Sequence, residues 1–169
     1  MKGLIIMNDG RYGLLSPKGH DDVKNILRQE IFGYLAVQDN TPYVVPINFA
    51  YAESDAPDSW GRLFFHSGPG RKTEALAVDP HICLAVTTAA SLHKGRQPCN
   101  DSFAYRSVLV EGKVTLLDNL QEKQQALRAI VAKYDHEAIS QPLNEQIFAK
   151  TLVYAVAIDA VSFKQKHGI

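Results

Sequence analysis

The chain has little of several features that would narrow its function at once. Lys plus Arg and Asp plus Glu both total 18, so the formal net charge is zero. Nucleic-acid and membrane partners usually require a basic excess, and the composition therefore argues against both. The two cysteines, Cys83 and Cys99, have neither CxxC spacing nor paired histidines, so the sequence predicts no zinc site. Cys83 lies in an apolar run and is expected to be a reduced core thiol.

Long apolar runs are also missing. The N-terminal run Leu4–Met7 is only four residues long, too short for a signal sequence or a membrane span, which predicts a cytoplasmic protein. With 46% apolar and 21% charged residues, the composition is that of an ordinary globular protein. A chain of 169 residues buries roughly 70% of its unfolded surface, enough for one stable domain.

Two common nucleotide-binding motifs are absent. No GxGxxG follows a predicted strand, which argues against an independent dinucleotide-binding domain. A P-loop requires glycine directly before its lysine, whereas Arg71 precedes Lys72 here. The sequence therefore gives no sign of nucleotide hydrolysis.

What the sequence does contain is a series of β-type segments with a few helical ones. Apolar residues alternate with period two in most of the apolar segments, and the links between the first three strands are too short for crossover helices. This pattern predicts a small antiparallel barrel with peripheral helices, preceded by an N-terminal arm over 1–19 and containing a helical insertion over 119–149. The predicted strands are 34–37, 42–51, 60–66, 81–87, 103–117 and 151–163, and the predicted helices begin at 21, 73, 120 and about 143.

The stretch from Leu63 to Leu76 indicates an anion site. A short apolar run is followed by Ser67-Gly68-Pro69-Gly70, and then Arg71 and Lys72 open a short helix in which Leu76 and Ala77 are expected to face inward. The free N–H groups of a first helical turn and two adjacent cations all favour a phosphate there. The alternative is a solvated loop that happens to carry two cations.

Pro46 interrupts the second predicted strand. Because proline has no N–H to donate, one side of this strand must be open or bulged there. Backbone groups of residues 45–48 would then be free to meet a planar polar ligand, and a plain edge strand explains the proline equally well.

Five blocks of this sequence, in this order, resemble the pyridoxamine 5′-phosphate oxidase-like flavoproteins, and most of all their nitroimidazole-resistance branch. The blocks are GYLAV, PYVVPINFAY, LFFHSGPGRK, DPHICLAV and YRSVLVEGKV, within residues 20–165. The resemblance implies a Greek-key, FMN-binding split β-barrel that works as a homodimer with a flavin in each of two clefts between the subunits. The C-terminal block lacks the Arg- and Pro-rich ending of the oxidase proper, which predicts a substrate other than pyridoxamine phosphate.

The resemblance also implies which residues bind the cofactor. Arg71 and Lys72 match the pair that holds the FMN phosphate, and His66 and Ser67 match a strand end beside the ribityl chain and ring. A second strand would lie along the isoalloxazine ring, and a third would face the same cleft of one subunit or the other. The strand along the ring would supply Val45, Pro46, Ile47 and Asn48. The strand that faces the cleft would supply Tyr105 and Arg106.

The function implied is an FMN-dependent oxidoreductase that takes electrons from a reduced nicotinamide donor and passes them to a small acceptor such as a nitroaromatic. His66 is the candidate for proton delivery, since imidazole titrates near physiological pH; the alternative is a neutral histidine that forms a wall beside the cofactor. A non-catalytic protein that stores or senses flavin, or holds haem, is the rival function, and a purely structural barrel is a third.

Overall fold

The structure is a computed structural model that describes residues 5–8, 11–13, 17–56, 59–142 and 144–166. Ten strands and four α-helices make up most of it, with short 3₁₀ helices at 98–100 and 136–140. The strands are β1 (Ile5–Asn8), β2 (Arg11–Gly13), β3 (Phe32–Val37), β4 (Tyr43–Asn48), β5 (Ala50–Ala52), β6 (Arg62–Ser67), β7 (His81–Thr87), β8 (Ser91–His93), β9 (Ser102–Leu116) and β10 (Leu152–Lys166). The helices are α1 (Pro17–Gln29), α2 (Arg71–Val78), α3 (Leu120–Tyr134) and α4 (Glu145–Lys150).

The strands form a split β-barrel, as predicted. Their hydrogen-bonded order is β2-β1-β10-β9-β7-β3-β4, and β6 pairs both with β10 and with β5. All pairs are antiparallel except β1 with β10. Strand β10 changes partner along its second edge, pairing with β6 through residues 152–157 and with β1 through residues 162–165.

The barrel is split between β4 and β6. Strands β4 and β5 follow one another with only Phe49 between them, yet β4 pairs with β3 whereas β5 pairs with β6. Among the described residues β4 pairs only with β3, so its other edge is free, as Pro46 predicts. Strand β5 covers only residues 62–64 of β6, so in the described part of the chain residues 65–67 of β6 also have a free edge on that side.

Two apolar cores hold this arrangement. The main core fills the barrel and is closed by α1, whose Val23, Ile26 and Leu27 are almost fully buried. A smaller core lies between the sheet and α3, around Ala126 and Val153. Because side chains alternate along β6, Phe65 enters the main core while Phe64 packs against the smaller one.

Several boundaries differ from the sequence prediction. Helix α1 begins at Pro17, inside the predicted arm, and the described part of that arm adds β1 and β2 to the sheet of the same chain. Residues 88–101, which fall between two predicted strands, contain β8, which pairs with the start of β9. From the sequence, Gly112 in the interior of a predicted strand indicates a bulge or a barrel corner; the register shift lies on the facing strand, between Ile158 and Ala160. Gly112 is needed because a Cβ there would lie 2.2 Å from the Ala157 carbonyl oxygen.

The helices lie at the periphery of the barrel. Helix α2 buries Ala75 and Leu76, whereas Ala77, which was expected to face inward, is exposed. Helix α3 lies within the predicted insertion over 119–149, and α4 ends one residue beyond it, at Lys150. Across the described parts of the chain, no helix combines the length and apolar character needed to cross a bilayer.

Candidate functional site

Helix α2 begins at one end of the split. Gly70 precedes it with φ 151° and ψ −172°, a conformation that only glycine adopts readily. The Thr73 hydroxyl accepts a hydrogen bond from the Gly70 amide at 3.0 Å and lies 2.8 Å from the Gly70 carbonyl oxygen. The first intrahelical bond runs from the Glu74 amide to Gly70, so the amides of residues 71–73 have no partner within the helix. This end of α2 therefore presents donors and the positive end of the helix dipole.

Arg71 is held by Asp39 and Thr41 of the β3–β4 connection and by Tyr43 at the start of β4, and we call these three residues the bracket. Its Nε donates to Asp39 Oδ2 at 2.7 Å, and one terminal nitrogen donates to Thr41 Oγ1 at 2.9 Å. The guanidinium carbon lies 4.2 Å from the centre of the Tyr43 ring. These contacts leave other guanidinium N–H groups available for an anion. The Arg71 guanidinium is also the main reason that the pKa of Asp39 lies below its ordinary value.

Lys72 and His66 lie on the β6 side of the split. The Lys72 ammonium is 5.6 Å from the centre of the Phe65 ring, and burial lowers the pKa of this lysine. Desolvation lowers the pKa of His66, and the nearby charge of Lys72 lowers it further. Because the pKa of His66 lies below its ordinary value of 6.5, the neutral imidazole is favoured at physiological pH. A neutral imidazole accepts a proton or a hydrogen bond at one ring nitrogen and donates a hydrogen bond from the other.

Residues 45–48 line the opposite side. Val45 and Ile47 point into the barrel and pack in or against the main core, whereas Pro46 and Asn48 point outward and are exposed. The backbone edge of these residues away from β3 is free, and β4 and β6 contact each other across the split. The structure thus brings together, around the split between β4 and β6, residues 45–48, His66, Ser67, Arg71 and Lys72.

Tyr105 and Arg106 do not join this cluster within one chain. They lie on β9, which is separated from β4 by β7 and β3, or roughly 14 Å at ordinary strand spacing. By register they lie past the Thr87 end of β7, whereas Arg71 lies at the opposite end, beside Tyr43. Arg106 is 3.3 Å from Asp22 of α1, and the Tyr105 ring is 5.6 Å from the Lys164 ammonium.

An apolar surface covers the outside of the sheet next to the split. We call it the outer face and define it by the cross-strand row Pro46, Tyr34, Ala85 and Leu109, together with Phe32 and Val44. Phe32, Tyr34 and Val44 are each more than half exposed. The row joins four neighbouring strands, so the exposed apolar groups are contiguous rather than scattered.

A groove of about 390 Å³ opens farther along the same side of the sheet. It is lined in part by Gln38, His81, Cys83, Glu111 and Asp159. Arg71, Lys72 and His66 do not line it. Burial and the carboxylate of Glu111 raise the pKa of the Cys83 thiol. Cys83 is a free cysteine, but it is only half-buried, so the expectation of a core position is wrong.

Sequence reasoning missed the bracket around Arg71. Asp39 falls between two predicted strands, and its polar character carries no sign of a partner 32 residues later. Tyr43 was assigned to a strand, which is right, but nothing in the strand pattern indicates that its ring supports a guanidinium.

The chain resembles known proteins in both sequence and structure. The model of a family described as pyridoxamine 5′-phosphate oxidase matches residues 19–165. A comparison with curated proteins finds no match. The known proteins to which this chain is similar are therefore those of the family model and several solved structures.

Three solved structures are each 25% identical to the chain. The first is a candidate 5-nitroimidazole antibiotic resistance protein from Bacteroides thetaiotaomicron, with a TM-score of 0.72 over 96% of this chain and 86% of that one. The second is the flavocytochrome Anf3 from Azotobacter vinelandii, with a TM-score of 0.71 over 88% and 67%. The third is an FAD-binding protein from Mesorhizobium loti, with a TM-score of 0.61 over 90% and 96%.

Proposed function

The chain belongs to the pyridoxamine 5′-phosphate oxidase family, and from this premise we propose that it is an FMN-dependent oxidoreductase. In this proposal it passes electrons from a reduced nicotinamide donor to a small acceptor such as a nitroaromatic compound. Two similar structures, a flavocytochrome and an FAD-binding protein, support a flavin cofactor. The similarity to a candidate nitroimidazole resistance protein supports the acceptor.

The observation that carries the proposal is the meeting of two cations with two free strand edges. Arg71, Lys72 and the unpaired amides of α2 suit a dianionic phosphate, since all of them are donors or positive charges. The free edges of β4 and of residues 65–67 suit the carbonyl and N–H groups along the rim of a flavin ring. The residues present therefore fit FMN. Riboflavin, which lacks the phosphate, would use the strand edges but not the two cations.

When bound, the flavin supplies the hydride and electron chemistry, and the protein supplies position, charge and access. Arg71 and Lys72 would hold the phosphate, and residues 45–48 would orient the ring against the free edge of β4. Ser67 ends β6 beside the same split and would lie near the ribityl chain. His66, neutral at physiological pH, would accept a hydrogen bond or a proton next to the ring.

The proposal includes a homodimer in which each cleft takes residues from both copies. Tyr105 and Arg106 are separated from β4 by two strands, and by register they lie opposite residues 165–166 of β10, whereas β6 pairs with residues 152–157, so they would serve the split of a second copy. The outer face supplies an apolar surface of the kind that such an interface buries. The outer face begins at β4, the strand that would orient the flavin, because Pro46 belongs both to β4 and to the outer face.

The test compares FMN with riboflavin, which lacks the phosphate. Replacing Arg71 and Lys72 together by Ala should weaken FMN binding at least tenfold and leave riboflavin binding nearly unchanged, since each charge-assisted hydrogen bond is worth roughly 1.5–3 kcal/mol. Asp39, left without its partner, would add repulsion toward the phosphate. The control replaces Lys18 and Lys150, two exposed lysines on α1 and α4, by Ala and makes the same change in net charge. Equal losses for both ligands would mean that the pair supports the fold instead.

A second candidate function is a protein that binds flavin or haem without turnover, which the flavocytochrome favours. Reduction of the bound flavin by excess NADH or NADPH, followed by its reoxidation with a nitroaromatic, would support the oxidoreductase. A flavin that stays oxidised under excess donor would support the binding role. A sharp Soret band in the purified protein would identify haem.

A further inference from the structure

Phe49 is the corner at which one continuous chain segment leaves one part of the barrel and joins another. Asn48 is the last residue paired with β3, and Ala50 is the first paired with β6. Phe49 therefore belongs to neither ladder, although it is completely buried. Its amide and carbonyl groups need partners from elsewhere, because unpaired backbone groups in the interior are costly.

The partner is a side chain from the helical insertion. The Tyr134 hydroxyl, in the last turn of α3, accepts a hydrogen bond from the Phe49 amide at 2.8 Å. The same hydroxyl lies 2.7 Å from the Phe49 carbonyl oxygen and 2.9 Å from that of Ile31, so its single proton is shared between these two acceptors. The Tyr134 hydroxyl thus provides both the acceptor and the donor that a neighbouring strand would otherwise provide for the Phe49 backbone.

The neighbouring lysine fixes the side chain of the same corner residue. The Lys133 ammonium lies 3.7 Å from the centre of the Phe49 ring and donates to the Leu27 carbonyl oxygen of α1 at 3.0 Å. The end of α3 therefore contacts the corner through both its backbone and its ring. The corner is joined directly to residues 45–48, the segment whose free edge faces the split.

We propose that Tyr134 is a positioning residue for the flavin ring: by holding the corner at Phe49 it fixes where the free edge of β4 lies relative to β6. This inference rests on the proposed function. It assigns to the helical insertion a role in the site, although α3 itself does not line the split. Through Phe49 the Tyr134 hydroxyl acts on residues 45–48 of β4, which would bind the flavin ring. The phosphate-binding end of β4, at Tyr43, is some five residues away.

The test uses Tyr134→Phe, which removes one oxygen and keeps the ring. We expect the dissociation constants for FMN and for riboflavin to rise by the same factor, about tenfold, because the loss affects the ring strand common to both. The control is Asn119→Ala, at the other end of α3, where Asn119 Oδ1 caps the amides of Gln121 and Glu122 at 2.9 and 3.1 Å. Loss of that cap should lower the melting temperature while leaving both dissociation constants unchanged.

Hydrogen exchange of the flavin-free protein gives a second readout, independent of any cofactor. In Tyr134→Phe the amides of residues 47–49 should exchange faster than in the wild type, and in Asn119→Ala they should not. Unchanged flavin affinity in Tyr134→Phe, with a melting temperature lowered as in Asn119→Ala, would overturn the proposal and leave the tyrosine a purely structural role. Weaker binding of FMN alone would overturn it as well, since the phosphate end would then be affected. A wild type that binds neither flavin would overturn the proposed function, and with it the role assigned to Tyr134, even where exchange confirms the corner.

Discussion

Thr41 shows how a single hydroxyl contributes to an anion site that it does not touch. It accepts one hydrogen bond from Arg71 at 2.9 Å, next to the ion pair with Asp39. Thr41→Val should raise the dissociation constant for FMN about two- to tenfold, the equivalent of one ordinary hydrogen bond, and should not change that for riboflavin. Fluorescence titration with both ligands measures this.

Thr115→Val is the matched control for that experiment. Thr115 is an exposed threonine on β9, outside the bracket around Arg71. Its replacement should change neither dissociation constant. If Thr41→Val behaves in the same way, Arg71 does not depend on Thr41 for its orientation.

Lys133 gives a prediction about pH. Burial lowers its pKa from 10.5 to about 8, so between these two values the unfolded chain binds more protons than the folded one. The free energy of unfolding therefore gains a contribution that rises with pH across this window. Urea unfolding at several pH values should show the difference between wild type and Lys133→Met changing in favour of the wild type as pH rises from 8 to 10.5. A difference that is independent of pH would show that the lysine titrates normally in the folded protein.

Helix α2 depends on the residue before it. Gly70 has φ 151°, and an alanine forced into that conformation would cost about 1–3 kcal/mol of stability. Gly70→Ala should accordingly lower the free energy of unfolding by that amount and displace the start of α2. Gly68→Ala is the control, because a Cβ at Gly68 meets nothing within 4 Å and its backbone requires no positive φ. Equal stability of the two variants would mean that the turn rearranges without cost.

The elements of this fold differ in how well the sequence predicts them. Long strands such as β9 and β10 and the helix α3 carry enough periodic residues for their type to be evident, and the sequence predicted all three close to their observed limits. Strand β8 was missed because three exposed residues show no period, and its only support is the pairing with β9. Pro46 predicted a free edge correctly, since a missing donor is a local property.

Long-range contacts account for what the sequence did not reveal about the site. The two cations were found because they directly follow a glycine-rich turn, and His66, which precedes the same turn, was assigned through the family resemblance. The bracket at Asp39 and the corner at Phe49 depend on contacts 32 and 85 residues away, and neither residue looks unusual in its own segment. The lowered pKa of His66 likewise arises from burial and from Lys72, which the residue type alone does not predict.

The outer face sets the prediction for the molecule as a whole. Tyr34 is 53% exposed at the centre of an apolar row, and Tyr34→Glu would bring a charge into any interface that buries it. We expect the wild type to be a dimer, and the variant a monomer with weaker FMN binding, by size-exclusion chromatography with light scattering and by flavin titration. Leu120→Glu, on α3 and also exposed, is the control and should remain dimeric. A monomeric wild type would refute the interface.

Strand β10 has a consequence for biosynthesis. It separates β9 from β6 and β1, yet residues 152–166 follow every other strand in the sequence. Neither β6 nor β9 gains its neighbour on that side until the ribosome has delivered this segment, so the nascent chain carries two open edges until then. Closure of the barrel therefore waits for β10, and a chain stalled before residue 152 would be prone to aggregate.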